Sequence, residues 1–139
     1  MNEIKKVENN VKNVLNHWGF EELSSSIYTA LAISGKPLTA REISKHIDYA
    51  YSTTINALNN LIKLGYIQKM RDGRKNVYAA NTDFVDIIHG ERNRLFSLLR
   101  ETSDEIHKLK SSYKRKLGGV LKMIENAIHY LEKTKKFEE

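Results

Sequence analysis

From residue 3 to 18, apolar side chains recur at Ile4, Val7, Val11, Val14 and Trp18, with Lys5, Lys6, Asn9, Asn10 and Lys12 filling the other face. Alternating steps of three and four predict an amphipathic helix with a narrow apolar stripe. Gly19 ends it. Leu23, Ile27, Ala30 and Leu31 predict a second helix over about 21–34, stopped by Gly35-Lys36-Pro37. Glycine accepts the left-handed stop conformation, and proline cannot continue a helix. Leu38-Thr39-Ala40-Arg41-Glu42-Ile43 then contains Thr-x-x-Glu, a capping box flanked by Leu38 and Ile43 as a hydrophobic staple. A short helix over about 40–47 follows, closed by Asp48-Tyr49-Ala50-Tyr51. The next helix runs over about 51–64, with Gly65 as its stop. At 100° per residue, Thr54, Ile55, Leu58, Leu61 and Ile62 share one face of it, and Ser52, Thr53, Asn56, Asn59, Asn60 and Lys63 share the opposite one. The first face is core; the second forms hydrogen bonds and carries only one charge.

Tyr66–Met70 and Asn76–Ala80 read as two short strands, and the Arg71-Asp72-Gly73-Arg74-Lys75 between them holds Asp-Gly, a hairpin signal, with three basic residues at the tip. From 83 to about 136 the pattern is helical again. Apolar or tolerant positions at 88, 95, 99, 102, 106, 109 and 113 follow the four-three alternation of a heptad seam. That rhythm breaks at Gly118-Gly119 and resumes at 120, 124, 127 and 131. The spacing predicts one helix of about 35 residues, roughly 50 Å long, then a kink or turn and a shorter terminal helix. A continuous, locally unwound helix is the alternative. The chain thus divides into an N-terminal amphipathic helix (1–19), a central segment (20–82) and a C-terminal helical region (83–139).

Helix, short capped helix, turn, helix and basic-tipped hairpin are the element order of a winged helix-turn-helix. The expected fold is mainly α, with a small β-hairpin wing and long C-terminal helices. Charge sharpens this picture. The chain has 23 Lys and Arg against 17 Asp and Glu, net +6. Residues 36–80 carry eight basic side chains against three acidic, whereas residues 1–35 are net negative by one. A basic patch of this kind suits a polyanion, because neutralising phosphates releases condensed counterions; the competing view is a solvated surface that happens to be basic. With no cysteine among 139 residues, a disulfide-stapled secreted module and a thiolate zinc site are both excluded. The polar N-terminus and the lack of a long apolar run point to a cytoplasmic protein with no membrane span.

Ile27-Tyr28, Ser34-Gly35-Lys36-Pro37-Leu38-Thr39, Glu42-Ile43, Leu58–Leu61, Leu64-Gly65-Tyr66-Ile67 and Gly73-Arg74-Lys75-Asn76-Val77-Tyr78 resemble the GbsR/MarR-type transcriptional regulators, in particular their archaeal branch. The resemblance is dense over 20–83; the flanking helices match only in position and character. It implies a homodimer that binds operator DNA, usually with a small-molecule effector. One departure concerns the start of the recognition helix. The family's capping Ser falls on Ala50 and a usual core Val on Thr54, so that Ser52 becomes the expected cap by chemistry.

In a helix-turn-helix, the exposed N-terminal residues of the second helix meet base edges in the major groove, and flanking basic groups hold phosphates. Ser52, Thr53 and Asn56, with Tyr51 beside them, are the candidate base contacts. Asn59, Asn60, Lys63, Arg71, Arg74 and Lys75 are candidate backbone or minor-groove contacts; the plain alternative is solvated surface. The reading face has no Arg to pair with guanine, but it has Asn for adenine and Thr methyls for thymine, so the expected operator is an A·T-rich inverted repeat. The expected dimer seam is Leu95, Leu99, Ile106, Leu109, Tyr113, Ile124 and Leu131, unless the terminal helix folds back and buries the stripe within one chain. Trp18, Phe20 and Tyr28 offer an aromatic wall where the N-terminal helix, the winged segment and the long helix meet. It would suit a quaternary ammonium effector, although aromatics at a junction are ordinarily core. No catalytic motif is present, and Asp86 and His89 lack a third ligand, so neither enzyme activity, metal nor cofactor is expected. The alternative function is a winged-helix protein-docking module of transcription or replication machinery without sequence-specific DNA contact.

Overall fold

The computed structural model describes residues 2–135 and divides into two compact units, one up to Asp83 and one from Phe84 onward. The first unit contains α1 (Asn2–His17), α2 (Glu22–Ser34), α3 (Ala40–Ile47), α4 (Tyr51–Lys63), β1 (Ile67–Asp72) and β2 (Lys75–Ala80). Its core joins α2 and α4 positions that share helix faces in the sequence to Ile43 of α3, Leu15 of α1 and Ile67 of β1. Leu15, Ile27, Ile43, Leu58, Leu61 and Ile67 are inaccessible to solvent or nearly so.

The local signals act as their chemistry requires. The Thr39 hydroxyl accepts from the Glu42 N–H at 3.2 Å and the Thr39 N–H donates to Glu42 Oε1 at 2.9 Å, closing the capping box of α3. Gly35 ends α2 at φ 68°, in the left-handed region. Thr54 is fully buried where an aliphatic residue would serve, because its hydroxyl donates to the Ala50 carbonyl at 2.9 Å and so meets no unpaired environment.

Three details depart from the sequence reading. First, α1 is rotated from its expected stripe: Leu15 is buried and Val11 and Trp18 are half-buried, while Ile4, Val7 and Val14 remain exposed. An ion pair between Lys12 and Glu22 of α2, and a contact of 3.3 Å between His46 Nε2 of α3 and Glu8 Oε1, hold that rotation. Second, α4 begins at Tyr51 with Ala50 as its N-cap residue and no side-chain cap, so Ser52 lies inside the first turn and caps nothing. Third, the strands extend to Asp72 and Lys75, which pair with each other, and the two-residue turn is Gly73-Arg74 rather than Asp72-Gly73. Gly73 has φ 66° and Arg74 has no positive φ, the arrangement in which glycine takes the first central position of a tight hairpin turn. A short antiparallel bridge joins Leu38 to Tyr78 (N–O distances 2.9 and 2.8 Å), tying the segment before α3 to the wing.

The second unit contains α5 (Phe84–His107), α6 (Ser111–Lys116) and α7 (Gly118–Thr134). The expected single long helix is therefore shorter: α5 has 24 residues, about 36 Å at the helical rise. The chain bends twice, at 108–110 and at Leu117, and Gly118-Gly119 form the first turn of α7. The last residue of the expected terminal helix, 136, and the remaining tail to 139 lie outside the described residues. Helix α7 folds back against α5, and Arg92 Nη2 donates to the Leu131 carbonyl at 2.8 Å and to the Thr134 hydroxyl.

That fold-back divides the expected dimer seam. Ile106 is buried and Leu99, Ile124 and Leu131 are half-buried, because α5 and α7 of one chain cover them. Leu95, Leu109 and Tyr113 stay exposed, joined by Leu98, Val120, Met123 and Tyr130.

Candidate nucleic-acid interface

Helix α4 owes its two-faced character to residue spacing alone. Burying Thr54, Leu58 and Leu61 against the core turns Ser52, Thr53, Asn56, Asn59, Asn60 and Lys63 outward, and all six are exposed, as is Tyr51. The outward face is rich in groups that donate and accept hydrogen bonds. Lys63, in the last turn, is its only formal charge.

The wing adds positive charge through its register. Arg71 and Asn76 are cross-strand partners, and Arg71 Nη1 donates to Asn76 Oδ1 at 3.3 Å, which orients the guanidinium along the hairpin. Arg74 and Lys75 are exposed at the tip, and among the described residues neither forms an ion pair.

Between α3, the start of α4 and the wing lies a concavity of about 290 Å³, whose wall includes Thr39, Arg41, Tyr51, Lys75 and Tyr78. Arg41 stands over the Tyr51 ring, its guanidinium carbon 5.1 Å from the ring centre, within reach of cation–π attraction. Burial, and secondarily Tyr51, hold the Tyr78 hydroxyl proton more tightly than usual. The Glu42 carboxyl is held below its ordinary range by the Thr39 backbone N–H first and the Thr39 hydroxyl second, with smaller help from Lys36 and Lys75.

Arg41 was not singled out in the sequence. It sits ten residues from Tyr51 on a different helix, so only the turn between α3 and α4 brings them together. Charge count alone could have flagged it, as one of the eight basic residues of 36–80. A second omission is the run Lys108, Lys110, Lys114, Arg115 and Lys116 around α6, all exposed. Averaging over the whole C-terminal region conceals it among ten acidic side chains.

Two of the three aromatics of the candidate effector pocket, Phe20 and Tyr28, are engaged in packing. Phe20 meets Tyr28 edge-on at 6.0 Å and Tyr66 at 4.8 Å between ring centres, and the Tyr28 hydroxyl donates to the Thr82 carbonyl. Trp18 is half-buried. Among the described residues, no three His, Asp or Glu side chains converge as a metal site, and no helix is long and apolar enough to cross a membrane.

The family comparison falls on the same half of the chain. The sequence model of a family described as sugar-specific transcriptional regulator TrmB matches residues 15–83. No curated protein is significantly similar in sequence. Among solved structures, one described only as a transcriptional regulator is similar over 98% of this chain and 92% of its own, with TM-score 0.60 at 14% identity. The ST1889 protein from the thermoacidophilic archaeon Sulfolobus tokodaii matches 64% of this chain and 84% of its own at 20% identity, TM-score 0.46. The oxidized form of MarR from E. coli matches 89% and 93% at 14% identity, TM-score 0.47. The matched residues take in α2, α3, α4 and the wing, and the first of these folds spans nearly the whole chain: the protein has the winged-helix fold and, over residues 15–83, is similar to a family of transcriptional regulators.

Proposed function

We propose that the protein acts as a homodimer that reads an A·T-rich inverted repeat in duplex DNA, α4 entering the major groove and the wing lying on the backbone or in the minor groove. The observation that carries this reading is the outward face of α4: exposed, hydrogen-bonding, nearly uncharged, and bordered by a basic wing tip whose Arg74 and Lys75 are not committed to ion pairs. Ser52, Thr53 and Asn56, in the first two turns, are the base contacts. Asn59, Asn60, Lys63, Arg71, Arg74 and Lys75 hold the backbone. Asn pairs two-pronged with adenine, and a Thr methyl meets the thymine methyl; the face lacks the Arg that reads guanine.

Dimerisation is supported by apolar surface in the second unit. Leu95 and Leu98 of α5 and Val120, Met123 and Tyr130 of α7 are each at least half exposed, at spacings that give helix stripes. A two-fold dimer would place two copies of α4 at the half-site repeat of about 34 Å. Effector control is no part of the proposal, since packing already accounts for Phe20 and Tyr28.

Selection of bound duplexes from a random-sequence pool tests the reading, with sedimentation of the protein at micromolar concentration. Enrichment of an A·T-rich inverted repeat by a dimer is expected. G·C-rich half-sites would overturn the base-reading assignment, and a stable monomer would overturn the dimer. Failure to enrich any sequence would favour the protein-docking alternative, against which the uncommitted wing-tip cations already argue.

A further inference from the structure

We infer that the concavity between α3, the start of α4 and the wing seats one DNA backbone phosphate, held by Arg41 in a hollow that Lys75 also makes basic, and that Tyr51 serves to position Arg41 rather than to read a base. The inference rests on the DNA-binding reading above and adds to it a ligand-holding group, Arg41, and a changed role for Tyr51.

Four observations lead there. Arg41 and Lys75 come from different elements, α3 and β2, yet line the same hollow of about 290 Å³, which exceeds the volume of a phosphodiester group. Arg41 is exposed and, among the described residues, has no carboxylate partner. Its guanidinium instead lies over the Tyr51 ring at 5.1 Å. An aromatic face attracts the cation but makes no hydrogen bonds with its edge, so the planar fork of donors stays available for a bidentate oxyanion. The neighbouring Glu42 carboxylate is turned to the cap of α3, its Oε1 accepting the Thr39 N–H at 2.9 Å, and forms no ion pair with Arg41.

The placement also fits the docking geometry. In a helix-turn-helix the first helix crosses the DNA backbone while the second enters the groove, and Arg41 is on the first, in its first turn, three residues after the Leu38 that bridges to Tyr78 of the wing. A side chain held in advance loses less rotamer freedom on binding than a free arginine would. Tyr51, with half its surface covered and its ring under Arg41, is then engaged at its face.

The test uses the full-length protein and a labelled random-sequence duplex, with affinity measured by fluorescence anisotropy over a range of KCl concentrations. Arg41→Ala should weaken binding by about tenfold at low salt and make the slope of log affinity against log salt shallower by about 0.9. Arg41→Lys should keep the wild-type slope, since the charge remains, while binding severalfold more weakly. Tyr51→Phe, which keeps the ring, should behave as wild type. Tyr51→Leu should weaken binding severalfold at unchanged slope, and should add nothing further in the Arg41→Ala background. A wild-type slope in Arg41→Ala, or full additivity of the two substitutions, would overturn the inference while leaving the DNA-binding reading intact. Absence of any binding by wild type would overturn that reading and this one with it. Thermal melts of each variant exclude loss of fold as the cause.

Discussion

Replacing Arg74 and Lys75 together by Ala isolates the wing's electrostatic share of DNA binding. Both side chains are exposed and neither forms an ion pair among the described residues, so the folded state should lose no more than about 0.5 kcal/mol. What changes is the bound state. If each cation neutralises one phosphate, each contributes about 0.9 to the salt slope, and the pair about 1.8. A fourfold rise in salt, from about 50 to about 200 mM, should then shrink the wild-type advantage by roughly 4 to the power 1.8, about twelvefold. Anisotropy titrations against one duplex at several salt concentrations measure this directly. A variant that binds more weakly by the same factor at every salt concentration would refute the reasoning, because the loss would then come from altered shape rather than from released counterions.

Asn56→Ala should relax preference at one base-pair step of each half-site, by about 1–3 kcal/mol of discrimination, with the salt slope unchanged; competition among duplexes varied at single positions checks it. Thr39→Ala should cost about 1 kcal/mol of stability through loss of the helix cap, read by denaturant unfolding. Because the Glu42 carboxyl titrates below its ordinary value in the folded chain, its contribution is complete above the unfolded carboxyl range of about 4.3 and is lost as pH falls through the lower folded value. Unfolding of wild type should therefore show an acid-side loss that Thr39→Ala reduces. Met123→Lys, at a position 72% exposed, should shift sedimentation toward monomer and make the thermal melt less dependent on protein concentration.

The capping box, the Gly35 stop and the two faces of α4 were legible in the sequence because each is decided within about one helical turn. A Thr and a Glu three apart bond to each other's backbone whatever lies beyond. Once Leu58 and Leu61 go inward, Asn59 and Lys63 must go outward. The candidate DNA contacts on α4 follow from that rule, and so does their exposure in the structure.

What the spacing left undecided turned on partners distant in the chain. The apolar stripe of α1 did not show that Leu15, outside it, would be the buried residue; α1 is tied at Lys12 and Glu8 to Glu22 and His46, on other helices. Which of Leu95, Leu99, Ile106 and Leu109 stay exposed depended on α7 folding back along α5, and a heptad pattern is equally content with a partner from its own chain or from another. Arg41 meets Tyr51 only across the turn between α3 and α4, and meets Lys75's hollow only because the Leu38–Tyr78 bridge brings the wing alongside. Sequence alone determined the order of elements and the faces of the helices, since those depend on residues a few positions apart. The tertiary structure decided which faces are covered and which cations share a cleft, because these depend on side chains that only packing brings into contact.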